Sequence, residues 1–503
     1  MARIVLNTFG SLGDLHPYLA IALELQRRGH QPVVATHGVY RSRVEAMALE
    51  FAPVRPHGEE WGEPSGVIRE AMDARRGSEV VLRKLVLPCL RDTRDDLLNA
   101  AKGADVIVDH VLSFTAPLVA ETLRVPRVST ALQPLAMFSR HDPPLNPAAP
   151  WLTSLRTAGP AVWGVLWWLA RQSTQGWFRD VRVIRREMGL PADGRHPMFD
   201  NASPDLHLVL FSRELAAPQP DWPASAVQTG FPVHDRGEAG ERLPLALDVF
   251  LRQGSAPIVF TLGSSAVFAA DDFYVAAAEA ARALGRRAVL LTGEDGLNPV
   301  PGVPPVAHAP AGAPIVTVPY APHSEVMPRA CAVVHQGGVG TTAQAMLAGK
   351  PMLVVPFSHD QPDNAARLRR HGVARVLERT HVSAAAFTRE LQALLGDQPL
   401  AARAQAMAAN MQREPGAAGA ADAIEGLLAR TGARYVPARF AGGDIRLSVS
   451  RSGAITAFVT SGSRFVSTMS VTSPSCIHSL EIPGAPPAKP NPPSVGASPA
   501  FAL

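Results

Sequence analysis

Two segments of the sequence carry residue types whose spacing suits the chemistry of a phosphorylated ligand. The longer runs from Ala332 to Leu368 and reads AVVHQGGVGTTAQAMLAGKPMLVVPFSHDQPDNAARL. An apolar run delivers the chain to His335 and Gln336. Gly337, Gly338 and Gly340 let the backbone approach a ligand closely, and Thr341 and Thr342 open a helix whose free N–H groups face it. That is an anion site. Its glycine pattern is neither a Walker A loop nor the GxGxxG of dinucleotide enzymes, so the anion expected is a diphosphate held by other means. A second apolar run ends in Pro356-Phe357-Ser358-His359-Asp360-Gln361, which sets a carboxylate and an amide beside the first loop, where they could grip sugar hydroxyls. The other segment, Phe9 to Pro17, places Ser11, Asp14 and His16 at a turn between an apolar run and a helical pattern.

The elements that must position these residues follow from hydrophobic periodicity. Ile4 to Thr8 reads as a buried strand, Pro17 to Arg28 as a helix ended by Gly29, and Gln31 to Ala35 as the next strand, a βαβ opening. Asp105 to Val108 and Arg127 to Thr130 are short strands flanking a helical stretch from Ala116 to Leu123. A second series begins with the strand Ile258 to Leu262, an Ala-rich helix from Asp272 to Leu284 and the strand Ala288 to Thr292. It continues through Ile315 to Val318, Ala332 to His335 and Met352 to Val355. The expected organisation is α/β: a Rossmann-like domain at 1–230, a Pro/Gly-rich linker at 231–250, a second Rossmann-like domain at 251–433 and a low-complexity tail at 434–503. Two doubly wound halves joined in this way place a ligand in the cleft between the carboxyl ends of their sheets. The tail is poor in acidic residues and ends in a Pro/Ala/Ser-rich stretch, so disorder is expected there, although Ile445 to Val471 alternates weakly, as a hairpin does.

Composition excludes several classes. The 503 residues are 47% apolar and 18% charged, which is enough to build large cores and too apolar for a disordered chain. The formal charge of +4 is too small for a dedicated nucleic-acid binder. Cys89, Cys331 and Cys476 lie far apart and form no disulfide framework or metal-ligand spacing, so a reducing, cytoplasmic setting is expected. No secretory signal or transmembrane run is read in the chain. Trp163, Trp167, Trp168 and Trp177 share a helical stretch with several arginines. This reads as an amphipathic helix packed on its own domain, with an apolar acceptor wall or a peripheral contact with the inner membrane face as the alternatives. Oligomeric state cannot be read.

At the glycine-rich segment the sequence resembles the GT-B-fold glycosyltransferases of the large UDP-glycosyltransferase family, glycosyltransferase family 1. The likeness is greatest to the bacterial branch acting on lipids, sterols and natural products, including rhamnosyltransferase-type enzymes. It covers about residues 1 to 430. Tyr320-Ala321-Pro322-His323 matches the family's W-A-P-Q, which implies that Tyr320 stacks on the nucleotide base. Gln336-Gly337-Gly338-Val339-Gly340-Thr341 matches the phosphate-binding piece, Gln344 falls where a Glu holds the ribose, and Asp360-Gln361 falls in register at the positions that bind the donor sugar's hydroxyls. Ser264 matches the Gly-Ser loop near the diphosphate, or else simply caps a helix. Bacterial relatives often carry HHGG where this chain has His335-Gln336-Gly337-Gly338. The phosphate-facing group is therefore an uncharged amide or His335, and more of the leaving-group stabilisation would fall on Thr341 and the helix N-terminus.

The first loop, Phe9 to Pro17, resembles the family's base-bearing loop, with Asp14 at the position of the plant enzymes' His. The resemblance implies Asp14 as the general base, with His16 as a rival and helix capping as the alternative role for Asp14. Asp109 matches the Asp that orients the plant His, or else is a polar residue at a strand end. The resemblance thus implies a metal-independent, inverting hexosyltransferase. Its partners are a UDP- or dTDP-sugar as co-substrate and a hydroxyl-bearing apolar acceptor, with no cofactor and no nucleic acid. No D-x-D metal motif occurs in the sequence. A nucleotide-sugar epimerase of the same fold and a catalytically silent nucleotide-sugar-binding subunit are the rival readings.

Overall fold

The computed structural model describes residues 1–56, 64–234, 243–294 and 296–431, together with strands between 435 and 471. Part of the expected linker, 235–242, and the end of the tail, 472–503, lie outside the described residues. The chain divides into a unit spanning Met1–Tyr435 and a unit spanning Val436–Leu503.

In the first unit, seven parallel strands form one sheet: β1 (Arg3–Asn7), β2 (Gln31–Thr36), β3 (Glu50–Pro53), β4 (Val106–Asp109), β5 (Arg127–Ala131), β6 (Leu206–Val209) and β7 (Ala226–Gln228). They run in the order β3-β2-β1-β4-β5-β6-β7. Ile4, Val5 and Leu6 of β1 and Val106, Ile107 and Val108 of β4 are all fully shielded. Continuous apolar runs of this kind are what a sheet covered by helices on both faces requires. Strand order reverses between β1 and β4, and chains leaving such a pair diverge and open a crevice at their carboxyl ends. Asn7 pairs with Asp109 across the last rung, so the residues just beyond them face that crevice.

Six more parallel strands form a second sheet: β8 (Ile258–Thr261), β9 (Ala288–Leu291), β10 (Ile315–Val318), β11 (Ala332–His335), β12 (Met352–Val354) and β13 (Ala374–Val376). Their order is β10-β9-β8-β11-β12-β13, with the reversal between β8 and β11. The two Rossmann-like halves expected from the sequence are therefore present, each with its crevice beside a segment that carries polar chemistry.

The first helix differs from expectation in a way that bears on the site. It spans Leu12–Arg27 instead of starting at Pro17. Ser11 and Asp14 form a reciprocal capping box that nucleates the helix early, and Pro17 lies inside it. The last helix of the unit, Gly416–Arg430, crosses back to the first half. Ala420, Ile424 and Leu428 are fully buried in the core formed with β1, β4 and the Leu12–Arg27 helix. Arg28 Nη1 meets Glu425 Oε2 at 2.8 Å and His30 Nε2 meets Glu425 Oε1 at 2.9 Å. The crossing begins at Gly416, φ +52°, where a Cβ would come 3.0 Å from the Phe231 carbonyl oxygen.

The tryptophan-rich helix, Pro160–Thr174, is packed on only one side. Trp163 is buried, with its Nε1 donating to the Leu155 carbonyl at 2.9 Å, and Trp167 meets Phe138 edge to face at 5.6 Å. Val165, Trp168 and Leu169 are at least half exposed on the opposite side. In the second unit, the weak alternation of the tail is realised as four strands, β14 (Tyr435–Phe440), β15 (Gly443–Val449), β16 (Ile455–Ser461) and β17 (Arg464–Val471), in one sheet of that order.

Candidate functional site

The crevice of the first half is built by the loop after β1 and the residue after β4. Asp14 is the third residue of its helix. Its Oδ2 accepts from the Ser11 backbone N–H at 2.9 Å and lies 3.3 Å from Ser11 Oγ. Both readings of Asp14 are compatible here, because the capping bond occupies one carboxylate oxygen and leaves Oδ1 for other work. The loop can pass so close only at Gly10, φ +128°, where a Cβ would lie 2.3 Å from Asp14 Oδ2.

The residue that meets Asp14 Oδ1 is His110, not Asp109. His110 Nε2 stands 3.4 Å from Asp14 Oδ1. Asp109 is fully buried and committed elsewhere, since Arg127 Nε and Nη2 donate to its two oxygens at 2.8 and 3.1 Å. Burial still pushes the Asp109 carboxyl above the usual carboxylate range, against the pull of Arg127. It is a structural ion pair between β4 and β5 and does not reach Asp14. His16, the rival base, lies near His234 and His323. Burial, reinforced by Arg43, His234 and His323, lowers its pKa to about 3. Its Nε2 is shielded without a hydrogen-bond partner, and its ring lies edge-on to His234 at 6.1 Å.

The crevice of the second half holds the remaining residues. Gln336 and His335 part company at the end of β11. The His335 ring is fully buried and its pKa is lowered to about 3 by burial, with its Nδ1 accepting from the Gly337 N–H at 3.1 Å. Gln336 instead reaches into the loops. Its Nε2 lies 3.4 Å from Thr341 Oγ1, and Cβ atoms at Gly263 and Gly338 would come within 2.4 and 2.9 Å of that nitrogen. Gln336 is thus the group set between the loop after β8, which carries half-buried Ser264, and the N-terminus of the Val339–Leu347 helix. Gly340 lies in the first turn of that helix, Gln344 is buried one turn further on, and Ala321 is buried beside the exposed ring of Tyr320. Gln336 Oε1, Thr342 Oγ1 and His335 Nε2 are shielded and have no hydrogen-bond partner in the protein. Buried polar atoms are rarely left unpaired, so three around one glycine loop mark a ligand's place.

Asp360 precedes the Gln361–Arg370 helix and joins the two segments. Its Oδ2 accepts from the Val339 N–H at 3.1 Å and from Asn364 Nδ2 at 2.7 Å. Burial, with the nearby charge of Asp14 as second cause, raises its pKa to about 7. Gln361 Oε1 accepts from the Phe357 and Ser358 N–H groups at 2.8 and 3.2 Å, so only its NH₂ remains for a ligand. His359 sits at φ +58° with its Nδ1 3.1 Å from Ser78 Oγ of the first half.

The halves meet where these residues lie. A Cβ at Gly340 would come 3.6 Å from Gly13 Cα, so the helix N-termini that carry Asp14 and the glycine loop are in contact. Further out, Arg367, itself buried, pairs with Asp142 of the first half and with Asp363 at 2.8 Å. Asp363 Oδ1 also accepts from the Leu145 N–H at 2.8 Å. Asp14, Gln336, Thr341, Thr342, Asp360 and Gln361 thus gather where the halves meet, while Asp109 is engaged by Arg127. Sequence reasoning missed His110 and Asn364. His110 directly follows Asp109, and its position at a strand end beside the crevice was the signal available. Among the described residues no cluster of three His, Cys, Asp or Glu could hold a metal ion, and no helix is long and apolar enough to cross a membrane.

Comparison with known proteins bears on this geometry. Residues 4–129 match the glycosyltransferase family 28 N-terminal domain, and residues 302–427 match the erythromycin biosynthesis protein CIII-like C-terminal domain. The chain is 31% identical over 442 residues to O-mycaminosyltylonolide 6-deoxyallosyltransferase of Streptomyces fradiae, covering 84% of this chain and 97% of that protein. It is 27% identical over 439 residues to a sterol 3-beta-glucosyltransferase of Neosartorya fischeri, covering 84% of this chain but only 29% of that longer protein. The crystal structure of glycosyltransferase VinC in complex with dTDP superposes with a TM-score of 0.59 at 17% identity, over 85% of this chain and all of that one.

Proposed function

Because this chain belongs to the GT-B glycosyltransferases, we propose that it transfers a hexose from a UDP- or dTDP-sugar to a hydroxyl of an apolar acceptor of macrolide or sterol type, with inversion at the anomeric carbon. The observation that carries the reading is the approach of Gly13 to Gly340, which brings Asp14, read as the base, beside the N-terminus of the Val339–Leu347 helix, read as the anion site. The dTDP named for VinC and the macrolide and sterol named for the curated relatives support the two substrate classes.

In this mechanism Asp14 Oδ1 takes the acceptor's hydroxyl proton while the acceptor oxygen attacks the anomeric carbon. The bond from that carbon to the diphosphate breaks on the opposite face, and its electron pair leaves with the nucleotide. Charge gathering on the diphosphate meets the N–H groups of the Val339–Leu347 helix, the Thr341 and Thr342 hydroxyls and the Gln336 amide. One Nε2–H of that amide goes to Thr341 Oγ1, which leaves its second N–H and the Thr341 hydroxyl proton for the anion. Asp360 and the NH₂ of Gln361 would bind the sugar hydroxyls.

The test is a thermal-shift screen of UDP, dTDP, UDP-glucose and dTDP-glucose, followed by transfer assays with cholesterol and a macrolactone as acceptors. A donor-dependent shift and a β-linked product from an α-linked donor are expected. No shift with any nucleotide, in folded protein, would overturn the reading.

The exposed face of the Pro160–Thr174 helix supports a membrane-surface contact as well. Val165, Trp168 and Leu169 there, with exposed Arg179 and Arg186 on the following helix, suit an anionic lipid surface, which is also where an apolar acceptor would reside. Co-sedimentation with phosphatidylglycerol vesicles that is lost in Trp168→Ser is the expected result, and equal recovery of both proteins in the supernatant would refute it.

A further inference from the structure

We propose that His110 is the positioning residue for Asp14, a dyad in which the carboxylate lies on the first helix and the imidazole lies just past β4. The inference rests on the reading of Asp14 as base given above.

The geometry determines which nitrogen of His110 carries a proton. The Leu112 backbone N–H donates to His110 Nδ1 at 3.3 Å, and a backbone N–H can only donate. Nδ1 is therefore an acceptor, which leaves Nε2 as the ring nitrogen that carries a proton. Nε2 is shielded from solvent, has no hydrogen-bond partner, and stands 3.4 Å from Asp14 Oδ1. A charge-assisted bond is shorter by roughly 0.5 Å, and catalytic contacts commonly tighten when substrate loads. The backbone holds the ring in place through the His110 N–H to Asn7 carbonyl bond at 3.0 Å, and Tyr18 packs edge-on to it at 6.3 Å.

Asp14 needs this donor because of what else faces it. Asp360 and His359 approach from the donor half, while Tyr18 and Tyr40 lie on its own side. Two carboxylates in one cleft compete for a single proton. Ser11 engages Oδ2, and the His110 Nε2–H, once drawn onto Oδ1, would leave the second lone pair of that oxygen for the acceptor's proton. Asp109 is held by Arg127 on β5, so its two oxygens are already engaged by a guanidinium.

Two measurements test this. In ¹⁵N-histidine-labelled protein without ligand, with the His110 signals identified by their loss in His110→Gln, the ring should be the Nε2–H tautomer, and its proton should move upfield in Asp14→Ala. The Nδ1–H tautomer, or no movement, would overturn the proposal. In transfer from UDP-glucose or dTDP-glucose to cholesterol or a macrolactone, His110→Leu should lower kcat about 10- to 100-fold with donor KM unchanged. His110→Gln, whose amide reaches the Nε2 position, should recover most of the rate, and His110→Asn, whose amide falls short, should not. Equal rates in the Gln and Asn variants would refute a positioning role even if the Leu variant fails to fold. Full kcat in the His110 variants alongside an inactive Asp14→Asn would sink this inference alone. A fully active Asp14→Asn would instead remove the reading of Asp14 on which it rests.

Discussion

Asp14 and Asp360 come from opposite halves of the molecule, yet each lies within the other's field, and the charge of Asp14 helps hold the Asp360 carboxyl at about 7. The pair spans the cleft in which the acceptor's proton and the donor's sugar would be handled.

A stability prediction follows from Asp360. Its folded pKa lies above the usual carboxylate value, so the folded state keeps a proton that the unfolded chain has released. The stability this contributes is complete below about pH 4 and is lost as pH rises through about 7. Asp360→Asn cannot ionise and can still accept from Val339 and Asn364. Its melting temperature should equal that of the wild type near pH 4 and exceed it at pH 8. His335 and His16, with pKa values lowered to about 3, lose stability in the opposite direction as pH falls below about 6.5, but both proteins share them. A constant difference across the pH range would contradict the assignment to Asp360.

Arg127 and Asp109 form a buried ion pair, so removing one partner strands the other. Arg127→Met should cost about 3–5 kcal/mol in urea unfolding, whereas Asp14→Asn should cost little. Specific activity per folded Arg127→Met molecule should remain close to wild type, because neither residue faces the cleft. A large fall in kcat in fully folded Arg127→Met would show that Asp109 is part of the chemistry after all.

Gln336 is the side chain between the Gly263 loop and Thr341, the two segments proposed to hold the diphosphate. Gln336→Glu sets a carboxylate against a diphosphate and should abolish the thermal shift by UDP and dTDP. Gln336→Ala should weaken nucleotide binding by about tenfold, the value of one hydrogen bond to a charged group. Unchanged nucleotide affinity in Gln336→Glu would place the anion elsewhere.

Much of this was legible in the sequence because parallel sheets demand unbroken apolar runs, and the strands around Ile4, Val106, Ile258 and Ala332 stand out as such. Asp14 and the glycine loop were legible because a turn between strand and helix leaves a local signature. The roles of Asp109 and His110 were not. Consecutive residues at a strand end point to opposite faces, and only the position of Arg127 on β5 decides which one is consumed inside the fold. The return of the Gly416–Arg430 helix to the first half was hidden for a related reason. Its Ala and Leu pattern suits any core, and the partners that fix it, Arg28 and His30, lie about 390 residues away in sequence. The exposed side of Trp168 was equally invisible, since the helix is apolar around most of its circumference.

The central claim is that Asp14 is the base, and the most direct measurement pairs turnover with donor binding in Asp14→Asn, a variant that keeps the capping bond from Ser11. The expected result is a fall in kcat of about 10² to 10⁴ with the nucleotide-sugar dissociation constant unchanged. A variant that turns over at the wild-type rate would contradict it, as would one whose loss of activity is fully explained by lost donor binding.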